Sequence, residues 1–153
     1  MNSQEVFATL TLNKLLSPTL TVYKEIDHYH QWYFLLGVSH AFEFNKTVSL
    51  KLAASASYLL SDDANTYPKY DSQALSTTNK FSNFHDGVIT ASLPIAAAKY
   101  ITITPTVSYV FPLCDDAKYE MQVRSQKVLF GGSTASDGDS SYLYGGLTLS
   151  FTY

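Results

Sequence analysis

Apolar and polar positions alternate with a period of two in seven stretches of this chain. Glu5 to Leu12 sets Val6, Ala8, Leu10 and Leu12 against Phe7, Thr9 and Thr11. Pro18 to Ile26 sets Leu20, Val22 and Ile26 against Thr19, Thr21, Tyr23 and Glu25. Gln31 to Phe42 sets Trp32, Phe34, Leu36, Val38 and Phe42 against Tyr33, Gly37 and Ser39. Val48 to Leu60 opposes an apolar row to Ser49, Lys51, Ser55 and Ser57. His85 to Ile95 sets Ile89, Ala91, Leu93 and Ile95 against Thr90 and Ser92. Tyr100 to Phe111 sets Ile101, Ile103, Val107, Tyr109 and Phe111 against Thr102, Thr104, Thr106 and Ser108. The last stretch, Leu143 to Tyr153, sets Leu147, Leu149, Phe151 and Tyr153 against Tyr144, Thr148 and Ser150. Successive side chains of a strand point to opposite faces, so each stretch predicts a strand with one greasy and one hydroxyl-rich face.

Strand length narrows the class. Globular strands run about 5–6 residues, whereas a tilted strand crossing a bilayer needs about 9–11. The connectors also alternate. Asn13 to Ser17, Glu43 to Thr47 and Ala96 to Lys99 are short, while Ser61 to Phe84 and Pro112 to Ser140 are long and polar; Asp27 to His30 is a tight exception on the long side. Short turns at one rim and longer loops at the other is the outer-membrane arrangement. The fold expected is all-β, an antiparallel up-and-down transmembrane β-barrel with about seven strands present, as one domain over residues 1–153 or the C-terminal portion of one. Tyr119 to Phe130 alternates weakly and is read as strand or hairpin extending above the membrane.

The Leu149, Phe151, Tyr153 ending resembles the C-terminal strand of bacterial outer-membrane barrels. That resemblance implies an insertion signal at these three residues, read by the barrel assembly machinery. Ser17 to Tyr23 and Gly37 to Phe42 (GVSHAF) are similar to poorly characterised porin-like barrels of Gram-negative bacteria. The resemblance implies a bacterial outer-membrane location among lipid and lipopolysaccharide, with the last strand descending into the periplasm. Seven strands then make the first descend too, whereas such barrels have even strand numbers and begin in the periplasm. Met1 to Glu5 also lacks the basic start and apolar core of a signal peptide. Both point to a C-terminal part of a barrel of ten to fourteen strands. A short echo between Ser17–Val22 and Thr104–Tyr109, each with a proline expected on the lipid side, fits a repeated hairpin plan.

Composition changes the picture at three points. Charged residues are 15%, well below the ~25% of soluble domains, with the difference taken up by Ser, Thr and aromatics. A net charge of −3 gives no electrostatic case for nucleic acid. The single cysteine, Cys114, excludes an internal disulfide framework and a multi-cysteine metal site. The longest strongly apolar stretch, Tyr33 to Phe42, is far too short for a spanning helix.

Chemistry is sparse. Asp27, His28 and His30 can be read as a metal trio, but a solvated turn explains them better. His40 falls on the greasy face and reads as an interfacial residue. His85-Asp86 can supply half of an acid/base pair, with no serine fixed to it by spacing. Ser39 and His40 are adjacent, so they point to opposite faces and cannot pair as nucleophile and base. Asp62-Asp63, Asp115-Asp116 and Asp137-Gly138-Asp139 suit solvated loops more than calcium or ions bridging to lipopolysaccharide. Gly145-Gly146 reads as relief where a strand bends.

The hydroxyl-rich faces carry the functional expectation. Thr21, Tyr23, Glu25, Tyr33, Lys51, Ser55, Thr104, Thr106, Ser108, Tyr144 and Thr148 are expected to line a lumen. Glu25 and Lys51, its two charges near mid-strand, can pair across it. Such a wall suits porin-like passive passage of small polar solutes, with no catalysis, cofactor or metal. The alternatives are a soluble all-β binding module, with the apolar faces as a sandwich core, and a barrel-type lipid hydrolase using His85 or His28.

Overall fold

The computed structural model describes residues 4–28, 30–73, 75–125 and 138–152. Seven long strands form one antiparallel sheet in the order β1 (Glu5–Thr11), β2 (Thr19–Glu25), β3 (Trp32–Glu43), β4 (Ser49–Leu60), β7 (Ser82–Ser92), β9 (Ile101–Pro112) and β10 (Tyr142–Phe151). The sheet curls into half of a barrel. Among the described residues β1 and β10 are its edges, each paired on one side only. Seven alternating strands leave these two edges running in the same direction.

Each period-two stretch of the sequence overlaps one of these strands, and the register joins like faces. Thr9 faces Thr21 and Thr11 faces Thr19, with hydroxyl–hydroxyl contacts of 3.0 and 3.1 Å. Thr90 faces Ser108 at 2.9 Å, and Thr106 donates to Ser92 at 3.1 Å. Such cross-strand pairs stabilise a sheet laterally. Here they link the hydroxyl faces of β1 with β2 and of β7 with β9 on the concave wall. On this wall Thr21, Glu25, Ser57 and Ser108 are buried. The convex face is the reverse: Leu20, Leu36, Val38, Ile89, Val107, Leu147 and Leu149 are all exposed, Leu36 by 56% and Leu147 by 71%.

The buried apolar core is small and lies against the wall's long-loop end. It consists of Leu59, Tyr67, Phe81 and Ala117, with Tyr33 and Cys114 packed against them. Two elements bring it there. Ser61 to Phe84, expected as a plain loop, contains a hairpin of β5 (Pro68–Tyr70) and β6 (Ser76–Lys80). Asp71 Oδ1 tightens its turn by accepting from the backbone of Gln73 and Leu75. The second element is a helix, α1 (Asp115–Arg124).

That helix corrects the reading of Tyr119 to Phe130 as strand or hairpin over Tyr119 to Arg124; residues 126–130 lie outside the described residues. The reason lies just upstream. Asp115 and Asp116 fall in the first turn and Arg124 in the last, matching the helix dipole. Cys114 caps the N-terminus, its sulfur accepting from Ala117 N–H and donating to Phe84 C=O. Ala117, Glu120 and Met121 form the buried face at i, i+3, i+4 spacing.

Three smaller differences concern strand ends. β7 begins at Ser82, three residues before the expected start. The expected short connector Ala96 to Lys99 is mostly strand: β8 (Ile95–Ala98) continues beyond Pro94 along β9. Pro105 lies within β9 on the convex face, whereas Pro18 precedes β2, so the two prolines of the sequence echo do not occupy equivalent places.

Candidate functional site

The densest polar cluster sits where β4, β7, the hairpin and α1 meet. A register defect makes it. Ala56 pairs with Gly87 and Tyr58 with Phe84, so Ser57 alone stands opposite both His85 and Asp86. Two residues against one is a β-bulge. It cancels the alternation that would send His85 and Asp86 to opposite faces, and both side chains meet on the concave side. His85 Nδ1 lies 2.8 Å from Asp86 Oδ1. The same oxygen accepts from Ser57 Oγ at 2.6 Å and from Tyr33 Oη at 2.8 Å. Ser57 Oγ in turn accepts the Asp86 N–H at 2.9 Å, which satisfies a backbone group freed by the bulge.

The helix completes the cluster from above. Glu120, only 3% exposed, places Oε2 at 3.3 Å from His85 Nε2. Its Oε1 accepts from Tyr67 Oη at 2.8 Å and from Arg124 Nε at 2.5 Å. The Arg124 guanidinium lies 4.7 Å over the Tyr67 ring. Each nitrogen of His85 therefore faces a carboxylate, the pattern a charged imidazolium satisfies with its two N–H donors. With His85 charged, two carboxylates meet two cations and the buried cluster is neutral.

Outside the strands, the electrostatics follow from these contacts. Burial pushes the Glu120 carboxyl up, but hydrogen bonding from His85, the Arg124 charge and the Tyr67 hydroxyl outweigh it, and the net direction is down. Burial, then the adjacent Glu120 charge, drive the Tyr67 hydroxyl far above its ordinary value, so it stays a donor. Burial also pushes Asp116 up, but the Lys69 ammonium at 2.9 Å and the Asn83 amide at 2.8 Å together prevail and lower it. Asp116 thereby pins α1 to both the hairpin and β7.

An aromatic row leads to the cluster along the concave side. Phe7, Tyr23, Tyr33 and His85 succeed one another at ring-centre distances of 5.7, 5.9 and 6.4 Å. His85 continues to Phe81 at 5.5 Å, and Phe81 to Tyr67 at 6.0 Å. Aromatic pairs at such separations are in favourable contact.

The expected wall residues can now be placed. Thr21, Tyr23, Glu25, Tyr33, Lys51, Ser55, Thr104, Thr106 and Ser108 share the concave face through the registers of β2, β3, β4, β7 and β9. Tyr144 and Thr148 join it opposite Ser108 and Thr104 on the exposed edge strand. Leu149 and Phe151 lie on the convex side beside Ile103 and Ile101, and Tyr153 lies outside the described residues. Gly145 is required by close approach, since a Cβ there would meet Thr106 C=O at 2.9 Å.

One expected pairing fails. Glu25 does not reach across to Lys51. Its carboxylate accepts the backbone N–H groups of Asp27, His28 and His30 at 3.2, 2.8 and 2.7 Å. It thus holds the β2–β3 turn, where His30 takes a left-handed φ of 51°. Lys51 stands at the other end of the wall. From Lys51 to Leu60 is nine residues of β4, about 30 Å at the rise of a strand. The same turn brings the backbone amides of Asp27, His28 and His30 together on one carboxylate. Asp62 pairs with Lys24 at 2.6 Å, and Asp137 lies outside the described residues.

The cluster does not build a nucleophile–base pair. Ser57, the serine that register brings to His85-Asp86, bonds to Asp86, while both His85 nitrogens are directed to carboxylates. Comparison of the chain with family models, with curated proteins and with solved structures finds no match.

Proposed function

We propose that this chain is the seven-stranded portion of an outer-membrane β-barrel through which small polar solutes pass without catalysis. The observation that carries the reading is the reversal of faces. A soluble protein buries its large apolar side chains, and a large exposed apolar surface marks a membrane or a partner. Here Leu20, Leu36, Val38, Ile89, Val107 and Leu147 are exposed on the convex side, and hydroxyls fill the concave one. The dimensions agree. β3, β4 and β9 each have 12 residues, about 40 Å of strand. Tilted by about 40°, that spans about 30 Å, the thickness of the hydrocarbon layer.

In this reading the convex face meets lipid, the long-loop end faces outward toward lipopolysaccharide, and α1 with its hairpin narrows the outer mouth. β1 and β10 run in the same direction, so antiparallel closure takes an odd number of further strands. A soluble binding module is less well supported: α1 and the hairpin pack at the concave wall and leave the convex face uncovered. A barrel-type lipid hydrolase draws no support from the Ser57–Asp86–His85 geometry.

The test is fractionation followed by liposome swelling. The expected result is a protein that needs detergent for extraction and that, reconstituted, admits small sugars faster than large ones. A chain that is soluble and monomeric without detergent, or liposomes that stay impermeable, would overturn the proposal.

A further inference from the structure

Among the described residues the wall holds an uncommitted charge near its short-turn end. Glu25 is consumed by turn amides, and Asp86 by His85, Ser57 and Tyr33. Lys51 is exposed and has no charged or hydrogen-bonding partner among the described residues. It borders a hollow of about 230 Å³ lined also by Ser17, Thr19, Ser39, Ser55 and Thr90. Among the described residues that line the hollow, Lys51 is the charged one. Glu43 and Lys46 line a separate hollow at the short-turn rim.

We propose that this hollow is a selectivity site for small oxyanions, carboxylate or phosphate, held by the Lys51 ammonium and the surrounding hydroxyls. The proposal rests on the passage reading above and names its preferred solutes. The chemistry fits each part. An ammonium offers three donors and no acceptor, and hydroxyls donate to whatever oxygens it leaves free. A single positive charge in a concave wall backed by apolar side chains focuses its field into the concavity and concentrates counter-ions there. Charges lining a pore set the sign of the ion it prefers. The volume exceeds the ~30 Å³ share of one water several-fold, enough for a small anion that keeps part of its hydration.

The experiment is a planar-bilayer measurement on the full chain under a potassium chloride gradient. The reversal potential is expected to report anion preference, and millimolar inorganic phosphate or acetate is expected to reduce the chloride current. Lys51→Met should abolish both effects, and Lys51→Glu should invert the reversal potential. Lys99→Glu makes the same charge change at the exposed turn between β8 and β9 and should leave selectivity as it was. Because Lys51 is exposed and unpartnered, neither variant at that position should impair folding. Channels whose selectivity is unchanged in Lys51→Glu would overturn the inference and leave the passage reading standing. Absence of any channel in the unaltered protein would remove both.

Discussion

Glu120→Ala removes the group that fastens α1 to the wall. Glu120 accepts from Tyr67 and Arg124 and faces His85, at 2.8, 2.5 and 3.3 Å. The Arg124 side chain is half exposed, so that pair is screened and contributes little. The other two contacts are buried. A hydrogen bond to a charged group contributes about 1.5–3 kcal/mol, and stripping one partner from a buried charged pair costs about 3–5 kcal/mol. The loss expected is about 3–5 kcal/mol, localised to α1 and the hairpin. That corresponds to roughly two to three and a half decades in the opening equilibrium. Native-state amide exchange in detergent is the assay, because it resolves local opening from global unfolding. Amides of Ala117 to Arg124 and of Phe81 should exchange at least 100-fold faster, while those of Ile103 and Val107 in β9 hold. Glu120→Gln keeps an acceptor for Tyr67 and should lose less. A change under tenfold in α1, or an equal change throughout β9, would refute the idea that this carboxylate is a local latch.

Two further expectations follow from the same contacts. The Glu120 carboxyl is held below its ordinary value of 4.5, so its contribution is fully present above that value and is lost as pH falls through the lowered one; protease protection of α1 should hold from about pH 7 to 5 and decline below about pH 4, and undiminished protection at pH 2 would contradict the assignment. Glu25→Ala removes the carboxylate that accepts three amides of a turn with a left-handed His30, and at about 1.5–3 kcal/mol for a hydrogen bond to a charged group it should lower the urea midpoint; Lys51→Ala should not, and equal effects would mean that the turn does not depend on Glu25.

Period two located all seven long strands because most of their positions repeat one chemistry, polar or small on the concave face and hydrocarbon on the convex one. Thr9–Thr21 and Thr90–Ser108 meet as that pattern requires. The cluster was less legible. His85 reaches the concave side through a bulge, and a one-residue slip of register leaves no mark in local alternation. Ser57 was visible as a wall residue, but its partnership with Asp86 exists only once β4 pairs with β7. Glu120 and Arg124 were missed because Tyr119 to Phe130 was read by its weak alternation, and Tyr67 because Ser61 to Phe84 was read as a plain loop. The acidic pair Asp115-Asp116 followed by Ala117, Glu120, Met121 and Arg124 was the available signal: a charged first turn and one face at helical spacing. Glu25 had the right face and the wrong partner, since a carboxylate at a strand end satisfies nearby amides before it reaches across a lumen.

The central claim is that the convex face meets lipid and the concave face meets water. Site-directed spin labelling in reconstituted vesicles tests it most directly. Cys114 is first replaced by Ser, which can also cap α1, and single cysteines are then placed at Leu36, Val107 and Leu147 on one face and at Ser55 and Thr106 on the other. The account predicts that labels on the first three collide with oxygen dissolved in the bilayer and are shielded from a water-soluble nickel chelate, and that labels on the last two do the opposite. Chelate access to Leu36, Val107 and Leu147 equal to that at Ser55 and Thr106 would contradict it.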